Sequence, residues 1–380
     1  MSVYLDHNAS TPVDGRVLEV MLPYLQEYYG NPSALYCRGR HARQAVEAAR
    51  EQVAHLVNAH PSQVVFTSGG SEANGLAIRG AVPGIHSLVV SAVEHASVLE
   101  SAKTVVRQGG RLGVIAVDAS GRVIESALAS ALASQPQLVS VMVANNETGV
   151  VQDIARLTQL SRSHGAFFHT DAVLAAGKVA LDFKSLGVDL MSLSAHKLYG
   201  PKGVGALICD SRVELMPQIV GGGQERGYRS GTENVPAIVG FGKAAELAGR
   251  ELAIRQLHLN GLRSSLERQL AQMGEVVVFA QQAQRLPNTV FLAIPGIDGE
   301  ALLMELDRLG IEVASGSACD SRKIGPSHVL LAMGVDESIA RCSIRISFGC
   351  ESSESDVTSL VNALKQQVET LRSASLLAWV

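Results

Sequence analysis

The sequence SLSAHKLYGPKGVGAL, residues 192–207, places two lysines and a histidine directly behind a short apolar run. Pro201 and Gly203 flank Lys202, which is typical of a solvated turn. Lys197 follows a strand-like run instead, so its side chain is expected to emerge where that strand ends. In α/β proteins this edge of the sheet is where ligands bind. The stretch therefore predicts a strand of an α/β fold, with Lys197 facing a ligand.

Similar apolar runs, each followed by a turn, recur along the chain before this stretch, and helical segments lie between some of them. The runs with their turns are residues 62–78, 86–98, 138–149 and 166–173. Near-continuous apolar strands that alternate with helices indicate a mostly parallel sheet covered by helices on both faces.

The pattern changes near residue 250, where one long amphipathic helix (244–273) is predicted to lead into shorter strand-like runs. A closing helix is predicted with Ser355 as its N-cap. We therefore expect an α/β protein with a large domain, residues 15–253, built on a mostly parallel sheet flanked by helices. A smaller α+β domain, residues 254–380, should follow, and residues 1–14 should pack near it.

The composition is typical of a soluble folded protein. Of the 380 residues, 47% are hydrophobic and 18% are charged, which is ample for a core and unlike a disordered chain. The net charge of −4, without a basic block, argues against nucleic acid as a direct partner. The apolar runs are too short to cross a bilayer, and the first residues show no basic leader. Five cysteines without CxxC spacing indicate a reducing compartment, so we expect a cytoplasmic enzyme.

Asp171 ends the strand-like run AFFHTDA, one unit before the run that precedes Lys197. A carboxylate after one strand and an amine after another can face each other across a flat cofactor. Pyridoxal phosphate needs this pair, because a lysine forms its Schiff base and an acid keeps its ring nitrogen protonated. A buried ion pair is the alternative, and these two residues alone do not decide between the two.

The run TSGGSEANG, residues 67–75, is predicted to be a glycine turn between a strand and a helix. Free backbone N–H groups and the helix dipole can hold a phosphate there. Gly69 and Gly70 permit close approach, and Ser71 adds a hydroxyl. The run lacks the GK[ST] ending of a nucleotide triphosphatase. His95 also follows a strand, where an imidazole can stack on a pyridine ring and move protons.

Several motifs occur in the order expected of one known family. They are YLDHNASTPVD, GNPSALY, TSGGSEAN, VEHASV, NNETGV, FHTDAV, SLSAHKLYGPKGVGAL, GGGQERGYRSGTENV, LPNTV, ASGSACDS and SIRISFG. From about residue 3 to 350 the chain resembles the cysteine desulfurases of the iron–sulfur-assembly type. These are class V aminotransferase-like enzymes of pyridoxal phosphate fold type I.

The resemblance implies a role for each residue noted above. Lys197 would form the Schiff base with pyridoxal 5'-phosphate and move the α-proton of the substrate. Asp171 would pair with the ring nitrogen, and His95 would stack on the ring. The other implied contacts are Gly70, Ser71, Ser194, His196 and the partner subunit's Thr232 to the phosphate, Asn145 to O3′ and the substrate, and Arg345 to the substrate carboxylate. The active unit implied is a homodimer.

Cys319, in the Ser/Gly-rich run ASGSACDS, would attack the sulfur of bound L-cysteine and carry it as a persulfide. L-Alanine would be the product, and the sulfur would pass to an acceptor protein, a scaffold or a thiolation enzyme. A thiol with an ordinary pKa of ~8.5 is only partly ionised at neutral pH, so a neighbour such as His95 should take its proton. No metal site is expected, apart from an iron–sulfur contact through Cys319. The other cysteines are Cys209, predicted to lie in the core, and Cys37, Cys342 and Cys350, which lack metal-ligand spacing.

Some positions depart from the family pattern. Leu174 stands where the family has a glutamine that hydrogen-bonds the cofactor O3′, which leucine cannot do. The remaining departures are Ser71 for threonine, Tyr36 for histidine, Gly75 for asparagine and Cys350 for arginine. Two alternatives stay open, namely another enzyme of this fold (a selenocysteine lyase or small aminotransferase) and a non-catalytic platform that docks sulfur or clusters. The acceptor pathway also stays open between iron–sulfur clusters, tRNA thiolation and DNA sulfur modification.

Overall fold

The structure is a computed structural model that describes residues 2–81, 84, 86–315 and 325–377. Its strands are β1 (Val3–Tyr4), β2 (Val64–Thr67), β3 (Ser87–Ser91), β4 (Arg111–Ile115), β5 (Leu138–Ser140), β6 (Phe167–Asp171), β7 (Leu190–Ser194), β8 (Gly205–Cys209), β9 (Val277–Val278), β10 (Thr289–Ala293), β11 (Ile311–Glu312), β12 (Ala314–Ser315) and β13 (Ser343–Ser347). Its helices are α1 (Gly15–Gln26), α2 (Cys37–Leu56), α3 (Gly70–Gly80), α4 (Ala96–Arg107), α5 (Glu125–Leu132), α6 (Ile154–Arg162), α7 (Phe183–Leu186), α8 (Val235–Arg250), α9 (Leu252–Leu270), α10 (Gly299–Arg308), α11 (His328–Ala332), α12 (Glu337–Ala340) and α13 (Glu354–Leu377).

The central sheet is mostly parallel. Within the described residues it has seven strands in the order β2-β8-β7-β6-β5-β3-β4. From β7 to β4 the neighbours pair in parallel, whereas β8 is antiparallel to both of its neighbours. Alternate side chains of these strands pack against α2 and α8 on one face and against α3 and α4 on the other. The two covered faces explain the near-continuous apolar strands, and the predicted α/β class is confirmed.

A second sheet has the order β12-β13-β10-β9 and pairs antiparallel throughout its described strands. Leucines of α9 and α10 and apolar residues of α13 cover it. β1 pairs in parallel with β11, and Asp6 forms a bridge with Ser347 at the end of β13. The N-terminal segment therefore lies against this second sheet. No helix of the described part of the chain is long and apolar enough to span a bilayer.

Two sequence predictions about helices were wrong in detail. The long helix predicted over 244–273 is two helices, α8 and α9, which meet at Glu251. There the Glu251 carboxylate accepts hydrogen bonds from Arg16 at 2.6 Å and from Arg255 at 2.8 Å. The closing helix α13 begins at Glu354, and the backbone N–H of Ser353 donates to the Asp356 carboxylate at 2.7 Å. The first turn of the helix is therefore held from Ser353, two residues before the predicted cap.

Candidate active site

The carboxyl ends of β3, β5, β6 and β7 meet at one edge of the central sheet because these strands are parallel. A cavity of about 360 Å³ opens at this edge. The predicted site residues that line it are Gly70, Ser71, His95, Asp171, Ser194, His196, Lys197 and Arg345. The cavity is therefore at the position that the strand ends predicted, and it is large enough for a small cofactor.

Lys197 ends the short 3₁₀ turn that follows β7. Its Nζ donates to the backbone oxygen of Asn8 at 2.5 Å and to that of Ala9 at 2.8 Å. Lys202 is exposed and does not line the cavity. The turn thus directs one of the two lysines into the cavity and the other to solvent.

Asp171 is the last residue of β6, next to β7 in the sheet, and it is 5% exposed. One carboxylate oxygen accepts from the amide of Asn74 at 2.7 Å, and the other accepts from the backbone N–H of Val173 at 2.9 Å. Asn74 also donates to Ser97 at 2.8 Å. Two donors therefore fix the Asp171 carboxylate against one side of the cavity.

His95 is the N-cap of α4, and its Nδ1 accepts from the backbone N–H of Ser97 at 3.1 Å. Burial lowers the pKa of His95, the charge of Lys197 acts in the same direction, and Asp171 acts against both. A neutral imidazole that accepts at Nδ1 carries its hydrogen on Nε2. In this tautomer His95 can donate a hydrogen bond at Nε2, and it can take up a proton only at Nδ1, in place of the bond from Ser97.

Glu94, beside His95, is fully buried, and its carboxyl accepts from the Ser91 hydroxyl at 2.5 Å and from the Met142 N–H at 2.8 Å. Burial raises the pKa of Glu94 to about 8. Glu94 is therefore protonated at neutral pH and adds no negative charge beside Asp171.

The cavity wall at the N-terminus of α3 suits a phosphate. Gly70 is the first residue of α3, and a Cβ placed on it would lie 2.7 Å from a methyl of Val173. The Ser194 hydroxyl is buried at the cavity wall and has no hydrogen-bond partner among the described residues. Free N–H groups at a helix N-terminus and an unused hydroxyl are what a phosphate requires. The cavity therefore fits pyridoxal phosphate, and the residues that would hold its phosphate lie at the N-terminus of α3 and the end of β7.

His196 also lines this cavity, and its Nδ1 lies 3.3 Å from the hydroxyl of Ser10. Burial, followed by the charges of Lys197, Lys202 and Lys178, lowers the pKa of His196 to about 4. The ring is therefore neutral at physiological pH, and it can offer a phosphate a hydrogen bond but no positive charge.

Arg345 lies in the middle of β13 and is 2% exposed. Its guanidinium donates to the backbone oxygen of Asn146 at 3.0 Å and to the Asp6 carboxylate at 2.6 Å. Asp6 and Arg345 both line the cavity. A planar guanidinium held in this way can bind a carboxylate with two parallel hydrogen bonds.

The structure does not bring Asn145 to the cavity. Its amide donates to the Val93 oxygen at 2.9 Å and accepts from the N–H groups of Glu147 and Thr148, so it holds the turn after β5. Asn146, one residue later, lines the cavity instead. In strand-to-turn segments a shift of one residue reverses which side chain faces a site, and the sequence motif NNETG contains both asparagines.

Thr232 is exposed and does not line the cavity of its own chain. Cys319 lies outside the described residues. Among the described cysteines, Cys37 is exposed, and Cys209 and Cys350 are half-buried. Cys209 packs at the edge of an apolar cluster, where burial raises its pKa to about 12. No group of three or more His, Cys, Asp or Glu side chains in the described part could hold a metal ion.

The lining residues that were not predicted to be part of the site include Asp6, Asn74 and Asn146. All three lie within quoted motifs, YLDHNAST, TSGGSEAN and NNETGV. The motifs therefore contained these residues. Their contacts with Arg345 or Asp171, however, depend on the fold and could not be read from the motifs. Leu174, the departure from the family pattern, is 4% exposed and lines the cavity.

Comparisons with known proteins agree with this geometry. The family model for class-V aminotransferases matches residues 3–360. A cysteine desulfurase IscS from Anaeromyxobacter sp. (strain Fw109-5) is 45% identical over 98% of this chain and 94% of its own length. The solved NifS-like protein from Rickettsia africae is 34% identical with a TM-score of 0.90, covering 97% of this chain and 100% of its own. A structure titled SspA in complex with cysteine is 33% identical with a TM-score of 0.80, covering 91% and 99%. The chain belongs to the pyridoxal phosphate-dependent class-V aminotransferase family and, within it, to the cysteine desulfurases.

Proposed function

We propose that the protein is a pyridoxal phosphate-dependent cysteine desulfurase that converts L-cysteine to L-alanine and leaves the sulfur on Cys319. The observation that carries the proposal is that Lys197 and Asp171 follow or end adjacent strands, β7 and β6, and line one cavity. The fixed arginine of β13 lines the same cavity. An ion pair between Lys197 and Asp171 is the poorer interpretation, since their polar atoms bond to other partners.

The residues that would hold the cofactor fall into two groups. Gly70, Ser71, Ser194 and His196 would hold the phosphate, and Asp171 and His95 would hold the ring, with Asn146 rather than Asn145 beside O3′. When bound, the cofactor withdraws electrons from the substrate Cα, which permits the Cβ–Sγ bond to break. Lys197 must leave the carbonyls of Asn8 and Ala9 to react, so those two bonds keep its amine in place until then.

Arg345 would bind the substrate carboxylate, and its bond to the Asn146 backbone keeps the guanidinium in place. The Cys319 thiolate would attack the substrate sulfur, the Cβ–Sγ bond would break, and its electron pair would remain on Cβ. A proton then completes the methyl group of alanine, and the sulfur stays on Cys319 as a persulfide. An acceptor protein that bears a thiol or a nascent iron–sulfur cluster would remove it.

The assembly, the location and the domain division of the protein are also part of this proposal. The active unit is a homodimer in which the partner subunit's Thr232 completes the phosphate site. Exposed apolar side chains on one face of α1, Leu18, Leu22 and Leu25, support a covered surface there. We also propose a cytoplasmic location and a division into residues 15–253 and 254–380, a boundary that falls at the start of α9.

The test is where the cofactor attaches and what the enzyme releases. Borohydride reduction of the yellow holoenzyme should fix the cofactor onto Lys197, as found by peptide mass spectrometry, and L-cysteine should yield equal amounts of alanine and acceptor-bound sulfur. Lys202→Met is the matched control and should keep full labelling, whereas Lys197→Met should lose it. Label on another lysine, or alanine release that persists in Lys197→Met, would overturn the assignment.

A transaminase of the same fold is distinguished by its products, because it would release a keto acid and would not release alanine and sulfur from cysteine. A non-catalytic platform would retain the label on Lys197 but release no alanine. These outcomes separate the three functions in one assay.

A further inference from the structure

Lys178 is a buried lysine that lies behind the cavity, in the chain segment that follows β6. It is 7% exposed, and its Nζ donates to the backbone oxygen of Leu174 at 3.1 Å and to that of Lys197 at 3.2 Å. Leu174 and Lys197 both line the cavity, whereas Lys178 lines a small cleft on the other side of Lys197. One amine thus joins two backbone positions on different segments of the cavity wall.

The groups that face Lys178 are mostly basic. Lys197, Arg255, His7 and His196 interact with it electrostatically, and Cys350 is the opposing group. Burial, and then the charge of Lys197, lowers the pKa of Lys178 to about 7, with Arg255 adding to the shift and Cys350 opposing it. A lysine in this position is costly to keep charged. The free-energy cost of burying this amine, together with its two hydrogen bonds to the cavity wall, points to a role beyond packing.

The backbone of Lys178 is itself held by hydrogen bonds. The backbone oxygen of Lys178 accepts from the side chain of Gln256 at 2.8 Å, and its N–H donates to the Ala175 oxygen at 3.0 Å. The backbone of Lys178 is therefore hydrogen-bonded both to α9 and to the turn that contains it. A movement of the Lys197 backbone would have to break its hydrogen bond from the Lys178 amine.

We infer that Lys178 is a positioning residue for Lys197: it ties the Lys197 backbone to the Leu174 wall and places a titratable positive charge behind the reactive amine. This inference rests on the proposed function, in which Lys197 carries the cofactor. A nearby cation disfavours the protonated form of another cationic group. In its protonated form Lys178 therefore lowers the proton affinity of the Lys197 nitrogen, in addition to holding its backbone.

The test uses the holoenzyme and the pH titration of its visible absorbance, which reports protonation at the nitrogen that joins Lys197 to the cofactor. Lys178→Met removes both the charge and the donor, and Lys178→Gln removes the charge but keeps an N–H donor. Both should move the titration midpoint upward by about half a pH unit or more. Lys184→Met, at an exposed lysine of α7, should titrate as the wild type does.

Thermal unfolding of each apoenzyme separates this role from a purely structural one. A lysine that only supports the fold would lower the melting temperature when replaced and leave the midpoint unchanged, and that result overturns the inference. If Lys178→Met does not fold, Lys178→Gln alone decides, since a wild-type midpoint without the charge contradicts the proposal. Wild-type protein that carries no cofactor on Lys197 would instead refute the proposed function.

Discussion

Arg345 shows how one side chain can be both buried and available to a substrate. Its guanidinium is fixed by the Asn146 carbonyl on one side and by the Asp6 carboxylate on the other. A substrate carboxylate must therefore approach a cation that already has an anionic neighbour. Asp6 weakens the attraction for carboxylates in general, and the planar donor pattern of arginine is left to select the correctly oriented one.

We predict that Arg345→Lys raises the KM for cysteine about 10- to 100-fold, with a smaller effect on kcat. An ammonium keeps the charge but cannot make two parallel bonds, and a hydrogen bond between charged groups is worth about 1.5–3 kcal/mol. Steady-state alanine production measures both constants. Arg341→Lys, at an exposed arginine paired with Glu337, is the control and should leave KM unchanged. An unchanged KM in Arg345→Lys would remove this arginine from substrate binding.

At the scale of the element, α3 is the helix whose N-terminus faces the cavity. A Cβ on Gly70 would lie 2.7 Å from Val173 and would narrow the cradle proposed for the phosphate. Gly261, in α9, has no atom within 4 Å of an added Cβ. Alanine substitutions at the two glycines therefore distinguish the effect of crowding at the cavity from the general effect of alanine on helix stability.

We predict that Gly70→Ala weakens cofactor binding about 10-fold or more, because overpacking costs about 1–3 kcal/mol. Gly261→Ala should bind the cofactor normally and gain about 0.5–1 kcal/mol in stability from the better helix residue. Titration of each apoenzyme with pyridoxal phosphate measures the affinity, and thermal melting measures the stability. Equal affinity in Gly70→Ala and the wild type would move the phosphate away from α3.

The elements were predicted more reliably than their ends and joints. The apolar runs that end at residues 171 and 194 were correctly predicted to be strands, because a strand that is buried on both faces has a nearly continuous apolar sequence. At the break between α8 and α9, the Glu251 carboxylate accepts from Arg16, a residue 235 positions away. Local periodicity contains no information about such a partner. The prediction that Asn145 faces the cavity failed for a related reason, since the Asn145 side chain bonds to the Val93 carbonyl instead.

At the scale of the whole molecule, the cavity residues come from both sheets and from the N-terminal segment. The sequence motifs predicted eight of the residues that line the cavity. Seven of them lie where a strand ends or a helix begins, and the eighth, Arg345, lies within β13. The contacts of Lys178 could not be predicted, since they depend on how the turn after β6 packs behind β7. The proposed role of Thr232 depends on a second copy of the chain, and it needs a test of its own.

Mixed dimers with a single Lys197 test whether Thr232 serves the partner's site. In the first dimer, a Thr232→Ala chain pairs with a Lys197→Ala chain, so the remaining lysine site receives an intact threonine from the partner. In the second, a wild-type chain pairs with a Lys197→Ala/Thr232→Ala chain, and the remaining lysine site does not. We predict cofactor binding about 10-fold tighter in the first dimer, from one charge-assisted hydrogen bond. The reverse order would show that Thr232 acts within its own chain.

The contacts of the N-terminal segment determine at which stage of synthesis the cavity can form. Asp6 reaches Arg345 across 339 positions, and the carbonyls of Asn8 and Ala9 reach Lys197 across 189 and 188. On the ribosome, Asp6 must therefore wait for a partner that is made 339 residues later. At about 5–20 residues per second, the wait for Arg345 lasts on the order of tens of seconds. A nascent chain has no complete place for a cofactor until Arg345 has been made, so the loading of the cofactor follows that step.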